Sequence, residues 1–219
     1  EIKQHQHIRR AGSDISDQDI IRRGTIIGPA ELSSIIAMGH KNFKLLSRPR
    51  IGVLSTGNEL EDFFSNEFIG QNSVVDTNAP LISSMFRKQG YFVANGGIAK
   101  DDPNELISKI SDVLKKCEIL LITGGASMGT RDHVKDVILH MGGTIHFGRV
   151  DIKPGKPAAF ASVMFEDRQK FIFSLPGNPV SAFITTLTLV WPFIKYAPRS
   201  YLNLPQQTSD YLGESIWAQ

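Results

Sequence analysis

The chain reads as an α/β protein. The predicted architecture is a three-layer sandwich with a mainly parallel sheet and helices on both faces, preceded by a helical linker segment. Two observations predict it. From Ile51 onward, short apolar runs alternate with stretches whose apolar residues recur at the helical period. Glycine-rich or polar turns then separate the two kinds of segment. A βαβα rhythm of this kind implies parallel strands joined by helices that cover both sheet faces.

The first fifty residues read differently from the rest. Ser13-Asp14 and Asp17-Gln-Asp19 are turn or cap signals, and Gly28-Pro29-Ala30-Glu31-Leu32 opens a helix to about Met38, stopped by Gly39. Ser47-Arg-Pro-Arg50 marks a boundary. The expected organisation is a linker or helical segment over 1–49 from a truncated N-terminal region, an α/β domain over 50–200, and the start of a C-terminal β domain or tail over 201–219. The chain begins at Glu1 with no Met and is expected to be a piece of a longer protein.

Within the α/β domain, Ile51-Gly-Val-Leu54 is a short buried strand and 61–73 a polar loop studded with aromatics. Asp76-Thr-Asn-Ala-Pro80 caps a helix through Gln89, which Gly90 ends. Tyr91-Phe-Val-Ala94 is a strand. Asp102-Pro103 starts a helix with apolar residues at 106, 107, 110, 113 and 114, one buried face. A strand follows at 118–122, a helix at 132–140 and a strand at 144–150. Strands over 157–163 and 170–174 join through Phe165-Glu-Asp-Arg168 as a hairpin. Asn178-Pro179 caps a long apolar helix, kinked or ended near Pro192.

Composition narrows the function classes. Lys+Arg 24 against Asp+Glu 22 argues against a nucleic-acid surface spread over the whole chain. No run of about twenty apolar residues spans a membrane, and no signal peptide is visible. The single cysteine, Cys117, excludes an internal disulfide, points to a reducing, cytoplasmic setting, and reads as a packed thiol.

In an open α/β sheet, ligands bind where strands end and helices begin. Five such points carry unusual residues: Ser55-Thr-Gly-Asn-Glu59, Asp76-Thr-Asn78, Thr123-Gly-Gly-Ala-Ser-Met-Gly-Thr-Arg-Asp132, Lys153-Pro-Gly-Lys156-Pro, and Leu175-Pro-Gly-Asn-Pro-Val-Ser181. Taken singly, each has a plain explanation: Asp76 and Asn78 as helix caps, Glu59 as a solvated loop acid, Lys153 and Lys156 as surface lysines, Pro176 to Pro179 as a tight turn. Together they offer carboxylates, lysines, hydroxyls and amides, which suits a polyanion bridged by Mg²⁺. Zinc does not fit, since there is no cysteine cluster and the histidines lack ligand spacing. Neither a Walker lysine nor a dinucleotide-binding glycine pattern is present.

The order and spacing of these five segments, with Ile8-Arg-Arg-Ala-Gly-Ser-Asp-Ile15 and Gly28-Pro-Ala-Glu-Leu32, resemble the molybdopterin molybdenumtransferase family, which includes the E domain of gephyrin. The resemblance covers about residues 8–200. It implies the molybdopterin-binding fold and insertion of molybdenum, from molybdate, into adenylylated molybdopterin, with Mg²⁺ or a similar cation and release of AMP. By motif, Asp132 is implied as the key acid for metal-assisted cleavage of the adenylyl phosphate, with Asp76 and Glu59 as supporting acids and fellow metal ligands. Thr123, Gly124, Gly125, Ser127, Gly129, Lys153, Lys156, Pro176, Gly177, Asn178 and Ser181 are implied to bind molybdate or the phosphates. A small-molecule substrate and a homodimer follow, and protein partners if the chain is gephyrin-like. The chain departs from the pattern at Ala79, where members often carry Arg, and at Thr130, where they often carry an acid. Two other readings compete. One is a gephyrin-like scaffold that uses the fold for protein binding. The other is a related adenylyltransferase, opposed by the Lys153–Pro157 and Leu175–Ser181 segments.

Overall fold

The computed structural model describes residues 8, 10, 12–13, 16, 21–22, 24–63, 73–125 and 133–197, together with the backbone of 206–210. The chain divides into two compact units, Glu1–Leu45 with Gln207–Ala218, and Leu46–Gln206 with Gln219.

In the first unit, α1 (Pro29–Ala37) starts at Gly28, whose N–H donates to the Glu31 carboxylate at 2.9 Å, with Pro at the first helical position. Leu32 and Ile35 form its buried stripe. The Gly39 and His40 N–H groups close the last turn on Ile36 and Ile35 carbonyls. Strand β1 (Asn42–Leu46) follows and pairs in a two-stranded sheet with β10 (Gln206–Asp210) at the far end of the chain.

The second unit holds the rest. In chain order it contains β2 (Ile51–Thr56), the short β3 (Leu60–Glu61) and β4 (Val74–Val75), and α2 (Asn78–Lys88). Then come β5 (Val93–Ala99), α3 (Pro103–Leu114), β6 (Ile119–Thr123), α4 (His133–His140) and β7 (Thr144–Phe147). The unit finishes with β8 (Ala159–Phe165), β9 (Arg168–Leu175), α5 (Pro179–Thr185), a π-helical turn (Thr186–Val190) and α6 (Trp191–Tyr196). The six-stranded sheet runs β5-β2-β6-β9-β8-β7. Pairs β2–β5, β2–β6 and β6–β9 are parallel, and β8 and β7 extend the sheet antiparallel.

Alternation along the central strands divides the core. Ile51, Val53, Ile119, Leu121 and Phe173 pack with Ile82 and Phe86 of α2, Ala182 of α5 and Ile194 of α6. Leu54, Leu120, Ile122 and Ile172 face Leu106 and Ile110 of α3 and Val134 and Val137 of α4. Each fully buried Leu or Ile contributes about 1.5–3 kcal/mol, so two such layers hold the sheet's position firmly.

Several details depart from expectation. Strand β5 begins at Val93 rather than Tyr91 and runs on to Ala99, through Asn95-Gly96-Gly97. Paired glycines look like a turn, but a Cβ on Gly96 would lie 2.8 Å from Val113 and 2.9 Å from the Val53 carbonyl oxygen. The glycine lets α3 press onto the sheet. The β2–β5 register also shifts there, between Val53 and Ser55. Strand β7 stops at Phe147 instead of reaching Val150. The expected hairpin forms, turning at Glu166 and Asp167, both with φ near +50° (47° and 59°). The long last helix changes character near Pro192, which sits in the first turn of α6. A π turn precedes it, where Thr185 and Thr186 hydroxyls donate to Ser181 and Ala182 carbonyls at 2.7 Å.

At the N-terminal ends of the parallel strands lies a buried polar cluster. Arg50 donates to both Glu118 oxygens, from Nη2 at 2.7 Å and Nε at 3.3 Å, and its backbone N–H adds a third bond at 2.8 Å. Lys170 Nζ donates to the Cys117 carbonyl at 2.7 Å and sits 3.9 Å from Glu118. Burial pushes the Glu118 carboxyl up, but the Arg50 hydrogen bonds and the Arg50 and Lys170 charges prevail and hold it below its usual value. Burial lowers the Lys170 ammonium, with Glu118 opposing. The Cys117 thiol, fully buried, is pushed by burial to about 12, as a packed and unreactive thiol should be.

Candidate functional site

The C-terminal ends of four adjacent parallel strands, β5, β2, β6 and β9, lie side by side and set the floor of the candidate site. Between β2 and β6, the Ser55 and Thr123 hydroxyls share a hydrogen bond at 2.9 Å, both fully buried. They fasten the strand ends together just where the chains turn away. Gly124 N–H then donates to Leu175 O at 3.2 Å, extending the fastening to β9. Gly124 has φ +87°, and a Cβ there would lie 2.0 Å from the Thr56 carbonyl oxygen. Gly125, at φ +64°, would push a Cβ to 2.7 Å from Val134. Gly177 sits over Gly124, with its Cβ position 3.4 Å from the Gly124 Cα. Two turns from distant parts of the chain therefore meet backbone to backbone, and at Gly124 the close approach to Thr56 and the positive φ require glycine.

On the outer side, Thr56 Oγ1 donates to Asp101 Oδ1 at 3.0 Å, and Asn58 Oδ1 accepts from Asp101 N–H at 3.1 Å. Asp101 is a half-buried acid just past the end of β5 that no sequence motif marks. Its signal was weak, because the glycine pair hid the strand that delivers it and Asp102 beside it is the evident cap, accepting from Glu105 N–H at 2.9 Å.

The segments that carry Glu59 and Asp76 pair through β3 and β4. Val74 N–H donates to the Glu59 carbonyl and Asp76 N–H to the Glu61 carbonyl, at 2.8 and 2.9 Å. Their side chains differ in setting. Glu59 is exposed and folded back near Gly57. Asp76 is 8% exposed, and its Oδ1 accepts from the Asn78 and Ala79 N–H groups at 3.0 and 3.2 Å. Asp76 therefore caps α2, which accounts for one of its oxygens. Ala79 packs in the core at 8% exposure.

The basic side of the site comes from the turn after β7. Lys153, Pro154, Gly155, Lys156 and Pro157, with Asp151 and Ile152, line a concavity of about 340 Å³ that Ser181 of α5 closes. Val150 N–H to Lys156 O at 3.0 Å and Ala158 N–H to Gly155 O at 3.1 Å fold the turn. Gly155 has φ +123° and abuts Thr185, leaving 2.4 Å between its Cβ position and the threonine methyl. Both lysines are exposed and Ser181 is half-buried. Asn178 Oδ1 accepts from Ser181 N–H at 3.2 Å and from its hydroxyl at 3.4 Å.

Of the predicted residues, the structure gathers Thr123, Gly124 and Gly125 with Pro176 and Gly177 at the strand ends, and Lys153 and Lys156 with Ser181 in the concavity. Asn78 links α2 to the Gly177 turn, its Nδ2 donating to Gly177 O at 2.7 Å. Ser127, Gly129 and Asp132, and the Thr130 departure, lie outside the described residues. The expected Mg²⁺ trio thus has one member, Asp132, outside them. Among the described residues no three His, Cys, Asp or Glu side chains form a metal-holding group. Also among the described residues, no helix is long and apolar enough to cross a membrane.

The family model described as probable molybdopterin binding domain matches residues 52–196. A gephyrin of Dictyostelium discoideum is 33% identical over 216 residues, covering 88% of this chain and 30% of its own length. A molybdopterin molybdenumtransferase of Haemophilus influenzae is 32% identical over 193 residues, covering 88% of this chain and 46% of its own. The chain therefore spans about a third to a half of the length of these relatives. In fold, it superposes on a molybdopterin biosynthesis moeA protein of Pyrococcus horikoshii with a TM-score of 0.60 at 23% identity, covering 89% of this chain and 44% of that one.

Proposed function

The chain belongs to the molybdopterin-binding-domain family, and we propose that it serves molybdenum cofactor biosynthesis as the oxyanion- and pterin-binding core of a molybdopterin molybdenumtransferase. The reading carries over from relatives of that name, one of them 32% identical. One observation supports it above the rest: Lys153 and Lys156, from the turn after β7, and Ser181, from α5, line one concavity. Molybdate is a tetrahedral dianion, and two ammonium groups with a hydroxyl donor match its charge and its acceptor oxygens. The glycines at 124 and 177 leave the strand-end turns bare of side chains, so a larger ligand can lie against their backbone.

On this reading, Lys153 and Lys156 hold and orient molybdate, Ser181 turns its hydroxyl from Asn178 Oδ1 to donate to one of its oxygens, and the strand-end turns receive the adenylylated pterin. Asp132 is the acid proposed for cleavage of the adenylyl phosphate, with Glu59 and Asp76 as supporting acids and Asp101, after β5, as a further candidate. Mg²⁺ is the cation this chemistry calls for, since a hard divalent ion neutralises phosphate charge as AMP leaves. The described acids do not themselves assemble a site for it. Residues 1–49 belong, in this proposal, to a longer N-terminal region, 201–219 open a C-terminal β domain, and the complete protein is a cytoplasmic homodimer.

The test is reconstitution. The complete protein, given adenylylated molybdopterin, molybdate and Mg²⁺, should release AMP and yield active cofactor. A complete protein that binds molybdate no better than sulfate and releases no AMP would overturn the proposal.

A further inference from the structure

Among the described residues, one of the two polar atoms of the Asn78 side-chain amide is paired. It is 7% exposed, and its Nδ2 donates to the Gly177 carbonyl at 2.7 Å. Its Oδ1 is buried and has no hydrogen-bond partner among the described residues. A buried unpaired amide oxygen costs roughly 1–3 kcal/mol. An apolar side chain of similar size would remove that cost. The Gly177 carbonyl it would abandon belongs to an exposed residue, where water can replace the amide. Stability alone therefore does not account for an asparagine at this position.

What the bond does is mechanical. It spans 99 positions and ties the start of α2 to the turn after β9. Gly177 shares a planar peptide with Asn178, so holding the carbonyl holds the orientation of that residue. Asn178 in turn accepts from both the N–H and the hydroxyl of Ser181. Ser181 lines the same concavity as Lys153 and Lys156. An unbroken path thus runs from Asn78 through Gly177 and Asn178 to a residue of the concavity that the two lysines also line.

We infer that Asn78 is a positioning residue for the oxyanion site: its amide holds the Gly177–Asn178 peptide so that Ser181 keeps its place in the concavity that Lys153 and Lys156 also line. The inference rests on the proposal that this concavity takes molybdate. It assigns Asn78 a task besides its place in the first turn of α2, and it gives the unpaired oxygen a reason: the amide is retained for its donor.

Calorimetric titration of molybdate into the 219-residue chain tests it, with unfolding temperatures measured alongside. The variants are Asn78→Leu, which keeps the volume and removes both polar atoms, Asn78→Ala, which keeps the helix start, and Lys156→Ala. Both Asn78 variants should bind molybdate about tenfold more weakly. Asn78→Leu should do so while unfolding within about 3 °C of the unsubstituted chain, a change worth about 1 kcal/mol. Should Asn78→Leu unfold well below that range, the affinity of Asn78→Ala decides. If Lys156→Ala weakens binding and the Asn78 variants stay within about twofold of the unsubstituted chain, Asn78 has only a packing role and the inference fails alone. If Lys156→Ala leaves binding unchanged, or the unsubstituted chain binds no molybdate, the concavity reading fails and the inference falls with it.

Discussion

Replacing Gly124 with alanine probes the contact on which the candidate site is built. The residue has φ +87°, and the added Cβ would stand 2.0 Å from the Thr56 carbonyl oxygen. Carbon–oxygen contacts in folded proteins close to about 3.3 Å at best, so one of the two backbones must move by more than an ångström. Neither moves freely. Thr56 ends a strand buried along its whole length, and Gly124 is tied to Leu175 O. The left-handed conformation costs an alanine about 1–2 kcal/mol, and forcing a methyl into packed surroundings costs a further ~1–3 kcal/mol. The sum is roughly 2–5 kcal/mol, or about 5–20 °C in unfolding temperature for a domain of this size. Gly142→Ala is the internal control. Its φ is +77°, but nothing lies within 4 Å of its Cβ position, so only the conformational cost of about 1–2 kcal/mol should appear. Urea unfolding followed by circular dichroism measures both. If Gly124→Ala loses no more stability than Gly142→Ala, Gly124 does not press on the end of β2 as described and the reasoning is wrong.

Three further outcomes are expected. Asp132→Asn in the complete protein should abolish AMP release, and unchanged release would remove Asp132 from the proposed chemistry. Glu118→Gln should destabilise the fold by about 3 kcal/mol by leaving Lys170 a buried, uncompensated charge. Because the Glu118 carboxyl is held below its usual value, its contribution is present above the unfolded carboxylate range and lost as pH falls through the folded value. Stability of the variant should therefore vary less below about pH 4.5 than that of the parent, and identical acid limbs would contradict the assignment. Cys117, its thiol raised to about 12, should resist iodoacetamide at pH 8 in the native chain and react only on unfolding, as mass spectrometry would show; rapid native labelling would refute its burial.

The contrast between two segments shows why some of the site was legible in the sequence and some was not. Lys153-Pro-Gly-Lys156-Pro could be read as a ligand turn because closely spaced prolines and a glycine fix a local shape, and lysines on such a turn point outward whatever the rest of the chain does. Asp101 could not be read. Its placement depends on β5 continuing through Asn95-Gly96-Gly97, and that in turn depends on Val113 of α3 needing the space a side chain would fill. Asp76 was read as metal ligand or cap. Its hydrogen bonds to Asn78 and Ala79 show that capping occupies one oxygen.

Local forces were enough to specify the helix starts at Pro29, Pro103 and Pro179, the hairpin turn at Glu166-Asp167, and the alternating apolar pattern that makes a parallel sheet covered on both faces. Each depends on residues within a turn or two of one another. Tertiary structure alone decided the strand order β5-β2-β6-β9-β8-β7, the meeting of Gly124 with Gly177, and the pairing of Asn78 with a carbonyl 99 positions away. Those contacts join segments with no shared local signal. They form only because burial of the two apolar layers brings the strand ends to one edge and leaves their turns no other space to fill.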